Sequence, residues 1–418
     1  MVFDPFAPAH TLATAIRQKK IGCLELLNAF LKRVEDFNPE LNAIVELDID
    51  QAKRQARQAD RMINQGQYLG PLHGLPMTIK ESFDMKGLPT TWGKLDMQHF
   101  RPTVDADVVK RYRAAGAVIF GKTNVPTMLA DWQTFNPIHG TTNNPWNLSL
   151  VPGGSSGGSA AALAAGLTAL ETGSDIGASI RDPSHYCGVY GHKPSFGLCS
   201  MDGHALPVFL SPDDIAVAGP MARSARDLEI ALKIIAGGND VHSRGWKLNL
   251  KKPVKTHWKE YKVAVMKSAE TSPVDMQVQH RIQAMADFLT SAGAKVYDHA
   301  KPDIDLHDAH RTFILLLRSA TARYLSPQQL QTIQEKVSVL DPQRDDYEAW
   351  MLRGCVLSHY DWLVLNEKRH RMQLQWESFF KDHDFLLCPT ATTTAFEHNQ
   401  QGERWERMIE VNGSPHPT

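Results

Sequence analysis

The sequence predicts an α/β fold with a central mixed β-sheet that carries helices on both faces. Two stretches support this class, because each contains a helix, a closing glycine and then a short apolar strand. The first runs from Asp107 to Ala115, with Gly116 and the strand AVIFG after it. The second runs from Arg281 to Ala292, with Gly293 and AKVY after it. Such a helix–glycine–strand sequence forms the second half of a βαβ unit, in which helices pack on a sheet.

The N-terminal quarter of the chain is predicted to be helical. One helix has an apolar face that recurs every three or four residues, at Leu24, Leu27, Leu31 and Val34. It is expected to end near the Asn38-Pro39 pair, because proline rarely continues a helix. A second helix is expected over Asp50 to Asn64, with an apolar stripe at Ala52, Ala56, Ala59 and Ile63.

The rest of the chain predicts further strands and a division into two halves. KVAVM at 262–266 and DFLLC at 384–388 are strand candidates, and the tract from Asp345 to Phe380 is expected to be one long helix. The polar run KKPVKT begins at residue 251. We therefore expect residues 1–250 to form the core with its N-terminal helices, and 251–418 to form a more variable second half of the same domain.

Composition argues against several classes of protein. The 418 residues contain 45 Lys and Arg against 46 Asp and Glu, so the chain lacks the basic excess expected of a nucleic-acid binder. The longest strongly apolar stretch, Ala160 to Leu170, is too short to span a bilayer, and the N-terminus does not resemble a signal peptide. Five cysteines without a CxxC pair argue against disulfide frameworks and zinc sites. A cytoplasmic enzyme that does not bind membranes is expected.

The most informative stretch, residues 151–197, begins VPGGSSGGSAAALAAG. A flexible linker is one interpretation of the Gly/Ser block, but the block leads directly into an apolar helix expected over Ala160 to Leu170, which must be buried. A phosphate-binding loop is another, but the lysine of GxxxxGK[ST] is absent after Gly158 and GxGxxG does not match well. The third interpretation is nucleophilic catalysis by one of the serines at 155, 156, 159, 174 and 179.

A serine nucleophile needs a base and an oxyanion cradle. The turn Ile176-Gly177-Ala178-Ser179 offers consecutive backbone N–H groups on small residues. Upstream, the apolar run Leu75 to Ile79 predicts a buried strand that ends in Lys80. Burial lowers the pKa of a lysine, as a general base requires, but a lysine paired with Glu81 or another carboxylate is an equally good interpretation of the residues alone.

These motifs together resemble the amidase signature family, whose members hydrolyse amides through a Ser-cisSer-Lys triad. The resemblance is carried by HGLPMTIKES, by GKTN at Gly121, and above all by PGGSSGGSAAALAAG followed by GSDIGASIRDP. It covers roughly Leu12 to Asn239 and weakens through the second half. It implies the amidase-signature version of the α/β fold.

The resemblance also implies residue roles by position. Ser179 takes the place of the nucleophile, Ser155 that of the bridging serine after a cis peptide bond, and Lys80 that of the base. The oxyanion hole would be formed by the N–H groups of Ile176, Gly177, Ala178 and Ser179. The substrate would be lined by Leu129 and Ser155.

The implied activity is hydrolysis of a small-molecule, linear carboxylic amide through an acyl-enzyme, without a metal or cofactor. The expected partner is the small-molecule amide, with no nucleic acid and no membrane, and a homodimer is among the expected oligomeric states. One alternative is the amidase subunit of a glutamine-dependent tRNA amidotransferase, and another is a truncated or weakly active remnant.

Two departures from the family pattern motivate the last alternative. Ala178 stands where the family usually has a second glycine, and its methyl group would narrow the acyl pocket, with strain if φ is positive. The ending MIEVNGSPHPT resembles an internal segment of the family, so the usual C-terminal strands are expected to be missing.

Overall fold

The computed structural model describes residues 4–418. The helices are α1 (Ala9–Arg17), α2 (Cys23–Leu41), α3 (Ile49–Asn64), α4 (Asp107–Ala114), α5 (Gly157–Ala164), α6 (Arg181–Cys187), α7 (Ala225–Ile235), α8 (Met276–Ser291), α9 (Leu306–Thr321), α10 (Pro327–Ser338), α11 (Tyr347–Cys355) and α12 (His359–Asp382). The strands are β1 (Ile44–Leu47), β2 (Pro76–Lys80), β3 (Val118–Thr123), β4 (Phe135–Asn136), β5 (Gly140–Thr141), β6 (Glu171–Asp175), β7 (Tyr190–Gly191), β8 (Val217–Ala222), β9 (Lys262–Val265), β10 (Lys295–Asp298), β11 (Phe385–Leu387), β12 (Met408–Val411) and β13 (Ser414–Pro417). The predicted α/β class with mixed sheets is confirmed.

The strands of the first half place the strand that ends in Lys80 close to the turn that carries Ser179. β3 pairs in parallel with β2 and antiparallel with β1, and the register places Lys80 opposite Thr123. β8 pairs antiparallel with both β6 and β7. β2 lies beside β6, so the end of the lysine strand is next to the strand that leads into the Ser179 turn.

The N-terminal helices form as expected, with one correction. α3 buries the predicted alanine stripe, and Gly66 follows it with φ 73°. The expected end of α2 near Asn38 is wrong, because the helix continues through Pro39 to Leu41. Proline already has a helical φ, so in the last turn it removes only one hydrogen bond. The helix ends instead where Asn42 takes φ 49° and donates its N–H to the carbonyl of Asn38.

Two further helix predictions are corrected. The helix expected over Ala160 to Leu170 is α5, which starts at Gly157 and stops at Ala164; Gly166 then takes φ 65°, and the chain turns into β6. The tract from Asp345 to Phe380 is two helices, α11 and α12. The hydroxyl of Ser358 accepts the N–H of Asp361 and caps the start of α12, which explains the break.

The second half has its own small parallel sheet, in which β9 lies between β10 and β11. The predicted helix from Arg281 begins earlier, at Met276, because Asp275 caps it. One large hydrophobic core fills the first half, and smaller clusters lie around Trp350 and Val263 in the second. Within residues 4–418, no helix combines the length and hydropathy needed to cross a membrane.

Candidate active site

Lys80 lies at the end of β2 and is completely buried. Its Nζ is hydrogen-bonded to Ser155 Oγ at 2.7 Å and to Ser174 Oγ at 2.9 Å, with the Ser174 carbonyl at 3.4 Å. A neutral amine has two N–H donors and one lone pair. If both N–H groups point to Ser174, the lone pair is left for the hydroxyl proton of Ser155, which is the arrangement a general base requires.

The charge state of Lys80 is set mainly by burial. Loss of solvent lowers the pKa of its ammonium to about 7, although nearby Asp175, Glu171 and Glu81 partly oppose the shift. Glu81 does not pair with the lysine, because its carboxylate accepts the backbone N–H groups of Thr91 and Trp92. The alternative of a lysine paired with Glu81 is therefore not what the structure contains.

Ser155 stands at the start of the segment that leads into α5. The peptide bond between Gly154 and Ser155 is cis. The N–H of Gly154 donates to the buried carboxyl of Asp182 at 3.0 Å. The next N–H, that of Ser156, donates to the carbonyl of Ser179 at 3.1 Å. The Gly/Ser block is thus held against the turn that carries the predicted nucleophile.

Ser179 lies in the turn between β6 and α6, with 5% of its surface exposed. Its hydroxyl has no hydrogen-bond partner among residues 4–418, so the structure brings Lys80 and Ser155 together but leaves the Ser155–Ser179 link unformed. The backbone N–H groups of Ile176, Gly177 and Ser179 are also without partners in this part of the chain. They remain available to a ligand.

Ala178 differs from the other predicted oxyanion donors. Its N–H donates to Asp175 Oδ1 at 3.0 Å, so it is not free to bind an oxyanion in this state. Its φ is 80°, a left-handed conformation in which a Cβ is strained. Of the four predicted donors, Ala178 is thus the one whose N–H already has a partner, and the oxyanion hole itself stays a prediction.

The carboxylate of Asp175 holds this turn through further hydrogen bonds. Its carboxylate also accepts the N–H of Ile180 at 3.0 Å and pairs with the guanidinium of Arg181 at 2.8 Å. Burial opposes its ionisation, but the bonds from Arg181 and the backbone outweigh burial and hold the pKa of Asp175 below its usual value. Within this ion pair Asp175 is buried, whereas the Arg181 side chain is 45% exposed.

Residues from both halves of the chain lie beside the turn. The carbonyl of Gly177 accepts the indole N–H of Trp132 at 2.9 Å. Leu317 of α9 comes within 3.9 Å of the position that a Cβ on Gly177 would take. Leu129 lies in a short turn with φ 57° and is half-buried, and its substrate-lining role remains a prediction.

The structure also identifies residues that sequence reasoning did not single out. Ser174 was one hydroxyl among five, and only the packing of β2 beside β6 reveals that it contacts Lys80. No motif pointed to Trp132. Asp182 lies within GSDIGASIRDP, but nothing in the sequence indicated its bond to the N–H of Gly154. Ser159 instead bonds Thr123 at 2.8 Å, away from the lysine. Among the described residues, no group of three or more His, Cys, Asp or Glu side chains could hold a metal ion.

Comparison with known proteins defines the class of this chain. The family model called Amidase matches residues 25–415. The chain belongs to this family, as the sequence motifs predicted. It is an amidase, a hydrolase of carbon–nitrogen bonds, which confirms the predicted enzyme class and the predicted fold.

Individual relatives have different names. The chain is 37% identical over 304 residues to one of the subunits of glutamyl-tRNA(Gln) amidotransferase from Bdellovibrio bacteriovorus, covering 71% of this chain and 60% of that protein. It is 32% identical to indoleacetamide hydrolase of Bradyrhizobium diazoefficiens, covering 96% of this chain and 75% of that protein. The solved structure of a fatty acid amide hydrolase aligns with TM-score 0.80 at 25% identity, covering 94% of this chain and 69% of that one.

These relatives correct the expected partners. The expectation of a small-molecule amide as partner, with no nucleic acid, no membrane and possibly a homodimer, is wrong. Similar chains from several bacteria are subunits of an amidotransferase named for a glutamyl-tRNA.

Proposed function

We propose that this protein hydrolyses a carboxylic amide to an acid and ammonia or an amine through an acyl-enzyme on Ser179. The observation that carries the proposal is the 2.7 Å hydrogen bond between Lys80 Nζ and Ser155 Oγ in a buried site. A lysine whose pKa lies at about 7 is partly neutral at neutral pH and can act as a base.

The proton path runs from Ser179 to Ser155 to Lys80. As Ser155 gives its proton to Lys80, it takes the proton of Ser179, and the Ser179 oxygen bonds to the amide carbonyl carbon. The N–H groups of Ile176, Gly177 and Ser179 bind the resulting oxyanion. The same path returns the proton to the leaving nitrogen as the carbon–nitrogen bond breaks, and water then hydrolyses the acyl-enzyme by the same steps.

We further propose that the two halves have different roles: residues 1–250 carry the catalytic triad, and residues 251–418 form most of the substrate wall. Lys80, Ser155 and Ser179 all precede residue 250, whereas Leu317 of the second half lies 3.9 Å from the position that a Cβ on Gly177 would take. This division supports a substrate wall built largely by the second half. Variation there would change the accepted amide without changing the triad.

A panel of amides tests the proposal. Aliphatic amides, aromatic amides, indole-3-acetamide and L-glutamine are incubated with the protein, and release of ammonia or amine is followed. At least one amide should be hydrolysed by the wild type and none by Ser179→Ala folded to the same degree. Equal hydrolysis by both proteins would exclude Ser179 as the nucleophile.

A second candidate is the amidase component of a tRNA amidotransferase, which uses the same triad and passes ammonia to partner subunits. The named subunits at 37% identity and below favour it. The likeness to an indoleacetamide hydrolase, 32% identical over 96% of this chain, favours the first candidate. Purification under native conditions separates them, since amidotransferase subunits that co-purify and stimulate glutamine hydrolysis would support the second.

A further inference from the structure

Three consecutive residues, Asp131, Trp132 and Gln133, lie against both catalytic stretches of the chain. The carbonyl of Gln133 is 2.8 Å from the position that a Cβ on Gly154 would occupy, and that of Asp131 is closer still, so this backbone packs directly on the residue before Ser155. Trp132 donates its indole N–H to the carbonyl of Gly177, in the turn that leads to Ser179. A shift of the 131–133 segment would therefore move Ser155 and the oxyanion donors together.

The chain around residues 399–407 holds this segment at both ends. Gln133 exchanges two hydrogen bonds with the backbone of Asn399, at 2.5 and 3.0 Å. Asp131 pairs with the guanidinium of Arg407 at 2.7 Å. These contacts join residues separated by 266 and 276 positions in sequence.

Arg407 is built into the fold rather than placed on the surface. Only 6% of its side chain and 12% of that of Asp131 are exposed. The Nε of Arg407 donates to the carbonyl of Gln401, and one terminal nitrogen donates to the carbonyl of Gly402. These two bonds orient the other terminal nitrogen toward Asp131. A planar guanidinium satisfies all these acceptors at once, whereas the single ammonium group of lysine cannot.

We propose that Arg407 is a positioning residue for amide hydrolysis, which acts through Asp131 and Trp132 to hold Ser155 and the Gly177 turn in register. This inference rests on the proposed function, because it assigns a role in the same reaction. It makes the second half of the chain responsible for the alignment of the triad as well as for the substrate wall. Misplacement of a catalytic group by about 1 Å can lower a rate on the order of 10²-fold.

Arg407→Ala tests the inference against Arg369→Ala. Arg369 is the control, because it forms a more exposed Arg–Asp pair with Asp214 at 2.8 Å that also joins the two halves but does not contact residues 131–133. For an amide that the wild type hydrolyses, Arg407→Ala should lower kcat about 10²-fold with little change in KM, at a temperature below both unfolding transitions. Arg369→Ala should stay within about twofold of the wild type.

Trp132→Phe and Arg407→Lys keep the test decisive if Arg407→Ala does not fold. Trp132→Phe removes the indole N–H that bonds Gly177 and shrinks the ring that Arg404 lies over, and it should lower kcat about tenfold. Combined with Arg407→Lys, it should cost less than the product of the two separate losses, because both act through one segment. Multiplicative losses, or kcat values for Arg407→Lys and Trp132→Phe within about twofold of the wild type, would overturn the proposal.

Covalent labelling separates this inference from the proposed function. A fluorophosphonate that labels Ser179 in the wild type and reacts about 10²-fold more slowly with Arg407→Ala supports both. Equal labelling rates in the folded variants would remove the role of Arg407 but keep the nucleophile. An absence of labelling at Ser179 in the wild type would instead remove the proposed function.

Discussion

Ala178 donates its backbone N–H to the carboxylate of Asp175 at 3.0 Å while its φ is 80°. The same carboxylate accepts the N–H of Ile180, so it holds both sides of Ser179 in a tight turn. Glycine adopts this left-handed conformation without steric cost, whereas alanine does not. The chain thus carries a strained residue directly before its proposed nucleophile.

Ala178→Gly is expected to stabilise the protein and to raise kcat for amides with bulky acyl groups. Relief of the left-handed strain should increase the free energy of unfolding by about 1 kcal/mol. Removal of the methyl group should widen the acyl pocket, an effect worth about 1–3 kcal/mol between substrates of different size. Urea unfolding and a series of acyl chain lengths measure the two effects.

Ala292→Gly is the control for this substitution. Ala292 has φ −77°, so glycine there gains no relief from strain and should lower stability by about 0.5–1 kcal/mol. If Ala178→Gly also lost stability and its kinetics matched the wild type for every acyl group, steric strain at Ala178 would be excluded.

The rate of hydrolysis is expected to fall at acid pH with an apparent pKa near 7. Burial lowers the pKa of Lys80 to about 7, and only the neutral amine accepts the proton of Ser155. The active fraction therefore rises as pH increases through 7. A profile of kcat/KM from pH 5 to 9 measures this limb. A flat profile would count against a lysine base.

Ser174→Ala is expected to lower kcat about tenfold and to move the acid limb to lower pH. The hydroxyl of Ser174 accepts a hydrogen bond from Lys80 Nζ at 2.9 Å, and such a bond stabilises the ammonium more than the amine. Its loss should lower the pKa of Lys80 further and free the amine to turn away from Ser155. Ser174→Thr, which keeps a hydroxyl, should recover part of the rate. An acid limb that stays at its wild-type position in Ser174→Ala would show that Ser174 does not control the lysine.

Lys80→Met is expected to stabilise the protein, most strongly at neutral and acid pH. The folded pKa of about 7 lies below the ordinary value of 10.5, so the wild type loses stability to this lysine below pH 7 and recovers it as pH rises toward 10.5. The advantage of the methionine variant should shrink by about 2–3 kcal/mol between pH 7 and 9. Urea unfolding at both values measures the difference.

Lys122→Met is the matched control for that pH dependence. Burial lowers the pKa of Lys122 to about 8, so its contribution to stability changes mainly between pH 8 and 10.5, and the pH dependence of Lys122→Met between pH 7 and 9 should be about half that of Lys80→Met. A stability difference between Lys80→Met and the wild type that did not change with pH would mean that the folded and unfolded pKa values of Lys80 are equal.

Local sequence signals predicted the elements that carry the site, but not the contacts between them. The apolar run before Lys80 and the glycine after α4 predicted β2 and β3, because burial and helix termination are local properties. The division of the 345–380 tract depends on one capping serine, Ser358, which a periodic pattern does not reveal. The contact between Lys80 and Ser174 depends on which strands are neighbours, and that is decided by the whole fold.

The φ of Ala178 is another feature that the sequence alone could not predict. The family pattern indicated that a methyl group would be unusual there, and the strain followed only if φ was positive. The turn set by Asp175 determines that sign, and Asp175 also removes the Ala178 N–H from the set of free donors.

The most direct test of the proposed nucleophile is the site of covalent modification by a fluorophosphonate, mapped by mass spectrometry of peptides. We predict one adduct, on Ser179, which disappears in Ser179→Ala and forms on the order of 10³-fold more slowly in Lys80→Ala. An adduct on another serine, or one that persists in Ser179→Ala, would contradict the assignment of the nucleophile.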